Sequence, residues 1–484
     1  MFIGIDIGTS GVKTLLMDER QHIIASSHAS IDISRPHSGW SEQDPEAWIR
    51  ATKETLDTLK QSHGSQLSAV TAMGLSGQMH GATLLDKQDK VLRPCMLWND
   101  TRSSVEAAAM DANPIFQTIS GNIVFPGFTA PKVAWVKNNE PEIFSQIHKV
   151  LLPKDYVRLW LTGEYVTDMS DASGTSWLDV EKRKWSPELL AACDMSEDQM
   201  PSLVEGSEVS GQLRDELVQR WALSIAPVVA GGAGDNAASA CGLGVVDEGQ
   251  AFISLGTSGV LFAANSRYSP NPKSAVHAFC HAIPNAWHQM GVILSAADSL
   301  SWYSKITGLS PQALTEELGT ELQSPSGLYF LPYLAGERTP HNDASVRGAF
   351  IGMDHSHDRK ALTQAVLEGV IFAIRDNMEA LAASGTQFTE LAAVGGGSRS
   401  HYWLKILATA LNMPVNIPVK GDFGGAFGAA RLAMMAATKA SPSVVLSSPA
   451  IEYRIEPVSA LVNQYDASYQ TYKQLYPAIK NVLS

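Results

Sequence analysis

The chain opens on short apolar runs separated by polar turns. Residues 2–7 and 11–17 are rich in Ile, Val, Leu and Met, and Gly8-Thr9-Ser10-Gly11 lies between and into them. After a polar tip, Asp18-Glu-Arg-Gln21, residues 22–33 supply a third run, so the opening predicts a three-stranded meander. A helix is predicted over 45–61, because Pro45 follows Asp44 and proline is favoured at the first helical position. Further strands are expected at 69–75, 149–152 and 227–230. In the second half the opening recurs: 250–255 is apolar, a Gly-Thr-Ser-Gly turn follows, and 260–264 is apolar again. Residues 5–12 read IDIGTSGV and residues 253–260 read ISLGTSGV, identical at six of eight positions. Strands are then expected at 391–394 and 414–417, and helices at 311–318, 359–383 and 400–411. Strand alternating with helix in two related halves predicts an α/β protein built by duplication.

Length and charge narrow the class. A chain of 484 residues suggests about two to four domains, and the repeat sets a boundary near 244–250, giving domains over 1–245 and 246–484. The formal net charge is −13 with no Lys/Arg block, which argues against nucleic-acid and membrane-surface binding, since both need a basic face. No window offers the roughly 18 uninterrupted apolar residues of a membrane span. The first residues carry no positive leader and Asp6 interrupts their apolar run, so they read as a strand rather than a signal peptide. Cys95, Cys193, Cys241 and Cys280 are far apart and form no C-x-x-C pair, as expected of reduced thiols in a cytoplasmic protein. The histidines include no H-E-x-x-H, so a protein-ligated zinc is not expected.

The repeated turn is the first candidate for chemistry. Glycines let backbone approach a ligand closely, and consecutive N–H groups in such a bend form an anion nest. Gly8, Thr9, Ser10 and Gly11, with Gly256, Thr257 and Ser258, are therefore candidate phosphate-holding residues. The first copy superficially matches a P-loop, but Val12 rather than glycine precedes Lys13, and a strand follows where a helix is needed. A plain hairpin turn is the bland alternative. The copies differ at one position: Asp6 stands where the second has Ser254. A carboxylate beside a polyphosphate is repelled unless a metal lies between them, so Asp6 is a candidate Mg²⁺ partner; the alternative is a strand-end Asp capping its turn. Residues 227–244 read PVVAGGAGDNAASACGLG, an apolar strand, a glycine bend and Asp235 at the start of a small-residue helix. Ligands of α/β proteins bind at such strand ends, and phosphoryl transfer to an alcohol uses a positioned base. Asp235 fits that role, and it equally fits an N-cap.

These residues, taken together, resemble the carbohydrate kinases named for a Phe-Gly-Gly-Tyr motif. The resemblance runs over essentially the whole chain. It is carried by Ile5-Asp-Ile-Gly-Thr-Ser10, Ser76-Gly-Gln-Met-His-Gly81, Leu97-Trp-Asn-Asp100 with Arg102, Pro126-Gly-Phe-Thr-Ala-Pro-Lys132, Pro153-Lys-Asp155, Gly234-Asp-Asn236, Ser254 to Gly259, Tyr333-Leu-Ala-Gly-Glu-Arg-Thr-Pro340, Gly395-Gly-Gly-Ser-Arg399 and Gly424-Gly425. It implies two ribonuclease-H-like domains of the actin/hexokinase ATPase type, with a nucleotide cleft between them. ATP and Mg²⁺ are the implied cofactors. Asp235 becomes the catalytic base, Asp6 the acidic residue near the metal, and both turns phosphate loops. Met79 and His80 fall where such kinases contact the sugar; an imidazole both donates and accepts, although core packing is the bland reading of each. Trp98, stacking on the sugar, Asn99 and Asn236 are further implied pocket residues. Gly395, Gly396 and Gly397 are implied in adenosine binding, with a strand-to-helix connection as the alternative.

The small residues Gly424, Gly425, Ala426, Gly428, Ala429 and Ala430 predict a helix that crosses 237–244 closely, at a hinge between the domains. The chain reads Asp422-Phe-Gly-Gly-Ala426 where the family name has Tyr. The roles of Glu337, Arg338, Lys154 and Asp155 do not follow from the sequence. Within the family the likeness is greatest to kinases of D-xylulose, with ribulose, gluconate or glycerol as alternative acceptors. The partners implied are a small sugar and ATP, with no nucleic acid or membrane, and a homodimer is the assembly to test. A nucleotide-driven filament protein or chaperone on the same core is the alternative of another class; no appended peptide-binding domain is visible for a chaperone.

Overall fold

A computed structural model describes residues 1–419 and 423–483. Asp422, named above for its departure from the family motif, lies outside the described residues. The opening runs form β1 (Phe2–Ile7), β2 (Gly11–Met17) and β3 (Ile23–Ser30), an antiparallel meander. The helix α1 (Pro45–Ser68) follows, with the Asp44 side chain accepting from the Glu46 N–H as its cap. It runs on past the predicted end at 61, through a break at His63, whose φ of −138° is non-helical. Then β4 (Ala72–Gly77) lies parallel to β1, and β5 (Val209–Gln212), β6 (Val228–Ala230) and β7 (Ala233–Gly234) complete the sheet. Its order is β5-β6-β4-β1-β2-β3, with β7 pairing the end of β4.

The second half builds the same frame. Strands β8 (Gln250–Leu255), β9 (Gly259–Asn265), β10 (His277–Cys280), β11 (Trp287–Ile293), β12 (Glu390–Val394), β13 (Val415–Pro418) and β14 (Ile451–Ile455) take the order β10-β11-β9-β8-β12-β13-β14. In each half a hairpin containing the Gly-Thr-Ser-Gly turn is flanked by a parallel strand on the other side of its first member. This is the duplicated ribonuclease-H-like arrangement, and it matches the predicted strands closely.

One predicted strand took a different place. Residues 149–151 are extended, but they pair Thr83–Leu85 in a separate two-stranded sheet. Much of the chain between β4 and β5 is a run of short elements around its own core, with Phe116, Trp177 and Trp185 buried. It includes α2 (Pro153–Thr162) and the single turn α3 (Met169–Ala172).

The two central sheets are covered on both faces. Ile3, Ile5 and Ile7 of β1 join Trp48, Leu56 and Leu59 of α1 in one core. Phe2 on the opposite face meets Ala426, Ala430 and Ala433. These come from a helix of the second half, numbered in chain order after α4 (Asp235–Leu243), α5 (Arg359–Ala382) and α6 (His401–Leu411) as α7 (Gly425–Thr438). Helix α7 lies so close to the first sheet that a Cβ on Gly4 would stand 1.8 Å from the Ala426 carbonyl oxygen. One on Gly74 would stand 1.9 Å from that of Ala429. In return Ala240 and Leu243 of α4 share a core with Phe252 and Phe262 of the second sheet. The predicted crossing of the two small-residue helices is present, and chain halves and packed layers exchange members there.

Candidate functional site

The first turn is tight: the Gly8 N–H donates to the Gly11 carbonyl at 3.0 Å. Thr9 Oγ1 donates to Gln78 Oε1 at 2.9 Å and accepts from the Trp98 indole N–H at 3.0 Å. The Ser10 hydroxyl makes no hydrogen bond with the described residues and is exposed. In the second turn the carbonyls of Gly256 and Thr257 accept from Ala297 and Ala296, at 2.8 and 2.9 Å. Those residues begin the helix Ala297–Thr307. Thr257 is exposed, and the turn thereby faces a helix N-terminus, where partial positive charge favours an anion.

The carboxylates converge near the first turn. Asp6, at the end of β1, accepts from Ser76 Oγ at 2.8 Å. The start of α7 reaches it, since a Cβ on Gly425 would stand 2.8 Å from Asp6 Oδ1. Asp235 is the first residue of α4 and is not its cap, the N-cap position being Gly234. Its Oδ1 accepts from the Asn236 N–H at 2.7 Å and the Asn236 side-chain amide at 2.9 Å. Its Oδ2 has no hydrogen-bond partner among the described residues. Burial, then the negative charge of Asp6, raises the Asp235 carboxyl to about 7 despite the two bonds from Asn236. A carboxylate poised near neutrality with one open oxygen suits a general base.

Met79 and His80 follow β4. Met79 is buried among Phe125, Phe128 and other apolar side chains, and a Cβ on Gly234 would stand 2.9 Å from its Sδ, so it touches the residue before Asp235. His80 has a left-handed φ of +70°. Its carbonyl accepts from Lys132 Nζ at 2.8 Å and from Thr129, which holds that turn in place. Its ring stacks on Phe128 with centroids 4.5 Å apart, and Nδ1 donates to the Gly174 carbonyl at 2.8 Å. Burial, then the nearby Lys132 and Arg338 charges, pulls the imidazole down to about 3. It is therefore neutral at physiological pH, with Nε2 left as an acceptor.

Trp98 and Asn99 are exposed on the rim. The Trp98 indole N–H donates to Thr9 Oγ1, so the side chain sits against the first turn.

Gly395 has φ +91°, and a Cβ there would meet the Leu255 backbone at 2.9 Å, so the bend requires glycine. Gly396 is exposed with nothing near its Cβ position. Ser400 then caps α6 through the Trp403 N–H. Two cavities flank this bend. One of about 880 Å³ is lined by Ala297, Ser301, Gly396, Gly397 and Ser400 among others. One of about 920 Å³ is lined by Asn236, Ser254, Gly395 and Gly424 among others.

The frame carries two equivalent turns and a carboxylate pair at one of them, and comparison with known proteins supplies the family. The N-terminal domain of the FGGY family of carbohydrate kinases matches residues 1–242, and its C-terminal domain matches 251–437. The chain belongs to the FGGY family of carbohydrate kinases. Among its relatives, the xylulose kinase of Escherichia coli (strain K12) is 49% identical over 98% of both chains. A crystal structure described as a xyloylose kinase from Brucella ovis is 62% identical, covers 99% of each chain and superposes with a TM-score of 0.99. A gluconate kinase from Lactobacillus acidophilus is 25% identical with a TM-score of 0.92, covering 99% of this chain and 97% of its own.

Two motifs of this FGGY kinase that the sequence left without a role acquire one from their contacts. Lys154 is fully buried, with Nζ 2.7 Å from Asp155, 2.8 Å from Asp168 and 3.0 Å from Asp171. Burial disfavours its charge, but the three carboxylates more than offset this and raise its pKa. Burial raises the Asp171 carboxyl well above the usual carboxylate range, against the pull of Lys154. The cluster grips the segment that carries Asp235. Arg158 donates to the carbonyls of Ala230 and Gly231. Ser170, hydrogen-bonded to Asp168, accepts from the Gly234 N–H at 3.1 Å. We expect Lys154→Met to leave buried carboxylates uncompensated and to destabilise the protein by about 3–5 kcal/mol. A urea denaturation midpoint equal to wild type would contradict this bracing role.

In the other motif, Glu337 is buried and its Oε1 accepts from the N–H groups of Leu294 and Arg338, at 3.0 and 2.7 Å. Thr339 is tied by its backbone and hydroxyl to Val292 and by its hydroxyl to Ala275. Both residues are scaffold. A buried Lys followed by Asp, and a Glu-Arg-Thr run, were the available signals, but neither reveals its partners before folding.

Proposed function

We propose that this FGGY kinase transfers the γ-phosphoryl group of ATP to the 5-hydroxyl of D-xylulose, giving D-xylulose 5-phosphate and ADP. The end-to-end likeness to proteins named xylulose kinase carries the substrate assignment. The arrangement of Asp235 supports the chemistry: its open Oδ2 accepts the hydroxyl proton as the oxygen bonds to phosphorus and the bond to the leaving ADP breaks. Met79, His80 and Asn236 line the sugar end, with the neutral His80 accepting from a hydroxyl through Nε2. Trp98 and Asn99 close the rim.

The two turns hold the phosphates, and the adenosine lies along Gly395–Gly397. A cavity of about 880 Å³ is within the range that accommodates such ligands. Residues 1–245 hold the sugar and the base, and 246–484 the nucleotide. Asp6 is the residue proposed to hold Mg²⁺. Among the described residues no group of three or more His, Cys, Asp or Glu is arranged to hold a metal alone, which fits a cation that shares its ligands with phosphates and water. When bound, that cation neutralises phosphate charge. The four cysteines are buried and unpaired, consistent with a cytoplasmic protein, and no described helix is long and apolar enough to cross a membrane.

The base assignment has a pH signature. Asp235 must be deprotonated to act, so kcat/KM should fall tenfold per unit as pH drops below about 7, the value to which burial and Asp6 raise it. Asp6→Asn removes the repelling charge and should move this acidic limb to lower pH. A limb that stays in place in Asp6→Asn would contradict the coupling.

Substrate choice is tested by coupled ADP release over D-xylulose, D-ribulose, gluconate and glycerol. D-xylulose should give the highest kcat/KM. If it ranks low while another member is turned over, the substrate assignment fails and the kinase assignment stands.

A further inference from the structure

Among the described residues the Arg338 guanidinium has a ring beneath it but no anionic or hydrogen-bonding partner. Its neighbours Glu337 and Thr339 face inward and brace the backbone, while its side chain leaves that scaffold and lies over the ring of Phe125, 4.9 Å from the centroid. No described residue gives it a hydrogen bond or an ion pair. Glu337, adjacent in sequence, has both bonds of its Oε1 directed to backbone N–H groups, and burial raises its carboxyl to about 8, so it is largely uncharged. Arg338 is itself partly buried and its pKa is lowered by desolvation. Taking a guanidinium out of water without supplying acceptors is costly.

Its position says what supplies them. Phe125 packs against Phe128, with centroids 5.5 Å apart, and Phe128 carries the stacked His80 ring. The Arg338 charge acts on both His80 and His277, whereas Asp6 is the charged group that acts on Asp235. Arg338 therefore lies beside the ring cluster that carries His80, at the sugar end of the pocket. Phe125, Phe128 and His80 belong to the first half of the chain, and Arg338 to the second.

We propose that Arg338 is a specificity-determining residue for the sugar: its N–H groups donate to oxygens at the end of the ketose remote from the accepting hydroxyl, so that bound sugar joins the two halves of the chain. This rests on the ketose-kinase reading above. A guanidinium presents five donors in a fixed fork, which suits the adjacent 1-hydroxyl and 2-keto oxygens of an open-chain ketose.

The test compares Arg338→Met and Arg338→Lys with wild type, using the most active sugar of the panel. Losing hydrogen bonds to a charged donor should raise the sugar KM about tenfold or more, leave the ATP KM within about twofold, and be only partly restored by Lys, which lacks the fork. With 1-deoxy-D-xylulose as the probe, wild type should show a penalty relative to D-xylulose that shrinks in Arg338→Met. An unchanged sugar KM in both variants, or sugar and ATP KM rising together with a lowered melting temperature, would overturn the proposal. A wild-type protein that releases ADP with no sugar in the panel contradicts the kinase reading and this inference with it. Wild-type turnover with an unaltered KM in the variants contradicts this inference alone.

Discussion

Asp235→Ala should bind ATP normally and lose at least ~10³-fold in kcat, the size expected when a general base and its positioning are removed together. The side chain is placed for this loss to be specific. Its hydrogen bonds among the described residues are the two from Asn236, and the N-cap position belongs to Gly234, so alanine removes no helix cap. Stability supplies the control. The folded-state pKa of Asp235 is raised, so its contribution to stability is present at low pH and is lost as pH rises through about 7. Alanine should therefore melt no lower than wild type at pH 8. Titration calorimetry with an ATP analogue, a thermal melt and single-turnover rates separate the cases. A variant with near-normal kcat would remove Asp235 from the mechanism.

Gly428→Leu should have the largest effect on folding. A Cβ at Gly428 would stand 1.7 Å from the Ala238 carbonyl oxygen and 3.0 Å from the Gly242 nitrogen. Both obstacles are backbone of α4, so no rotamer change relieves them. Helices α4 and α7 would have to separate, and each is packed into the core of the opposite half. The clash exceeds ordinary overpacking, which costs about 1–3 kcal/mol, so we expect a loss of about 3 kcal/mol or more, or failure to accumulate as soluble protein. Gly396→Ala is the control, because nothing lies within 4 Å of its added Cβ, and its melting temperature should match wild type. A Gly428→Leu protein that melts like wild type would mean that the crossing is not tight.

The central frame was legible because its signals are local. The apolar runs of β1, β2, β8 and β9, the proline after Asp44 and the repeated turn each follow from neighbouring residues. The run Gly424 to Ala430 also announced its close crossing, since small residues side by side serve backbone approach. The region between β4 and β5 was less legible. Its elements are short, so periodicity gives little signal, and the strand at 149–151 found a partner in Thr83–Leu85 that no local pattern indicates.

The same distinction holds at the site. Asp235 sits at a strand end followed by a helix, a context the sequence displays. Whether it caps that helix was open in the sequence, and the backbone makes Gly234 the cap. The bond from the Trp98 indole N–H to Thr9 joins residues far apart in sequence, so no local pattern announced it. Arg338 was silent for a similar reason: only the folded chain turns Glu337 and Thr339 into scaffold and leaves the guanidinium without a hydrogen bond or ion pair among the described residues.

The most direct test of the account is the sugar dependence and stoichiometry of ADP release by the intact protein. The account predicts that D-xylulose raises ADP release well above the basal rate and that one sugar 5-phosphate forms per ADP, detected by phosphorus NMR. ADP release that is the same with and without sugar, with free phosphate as the product, would contradict it.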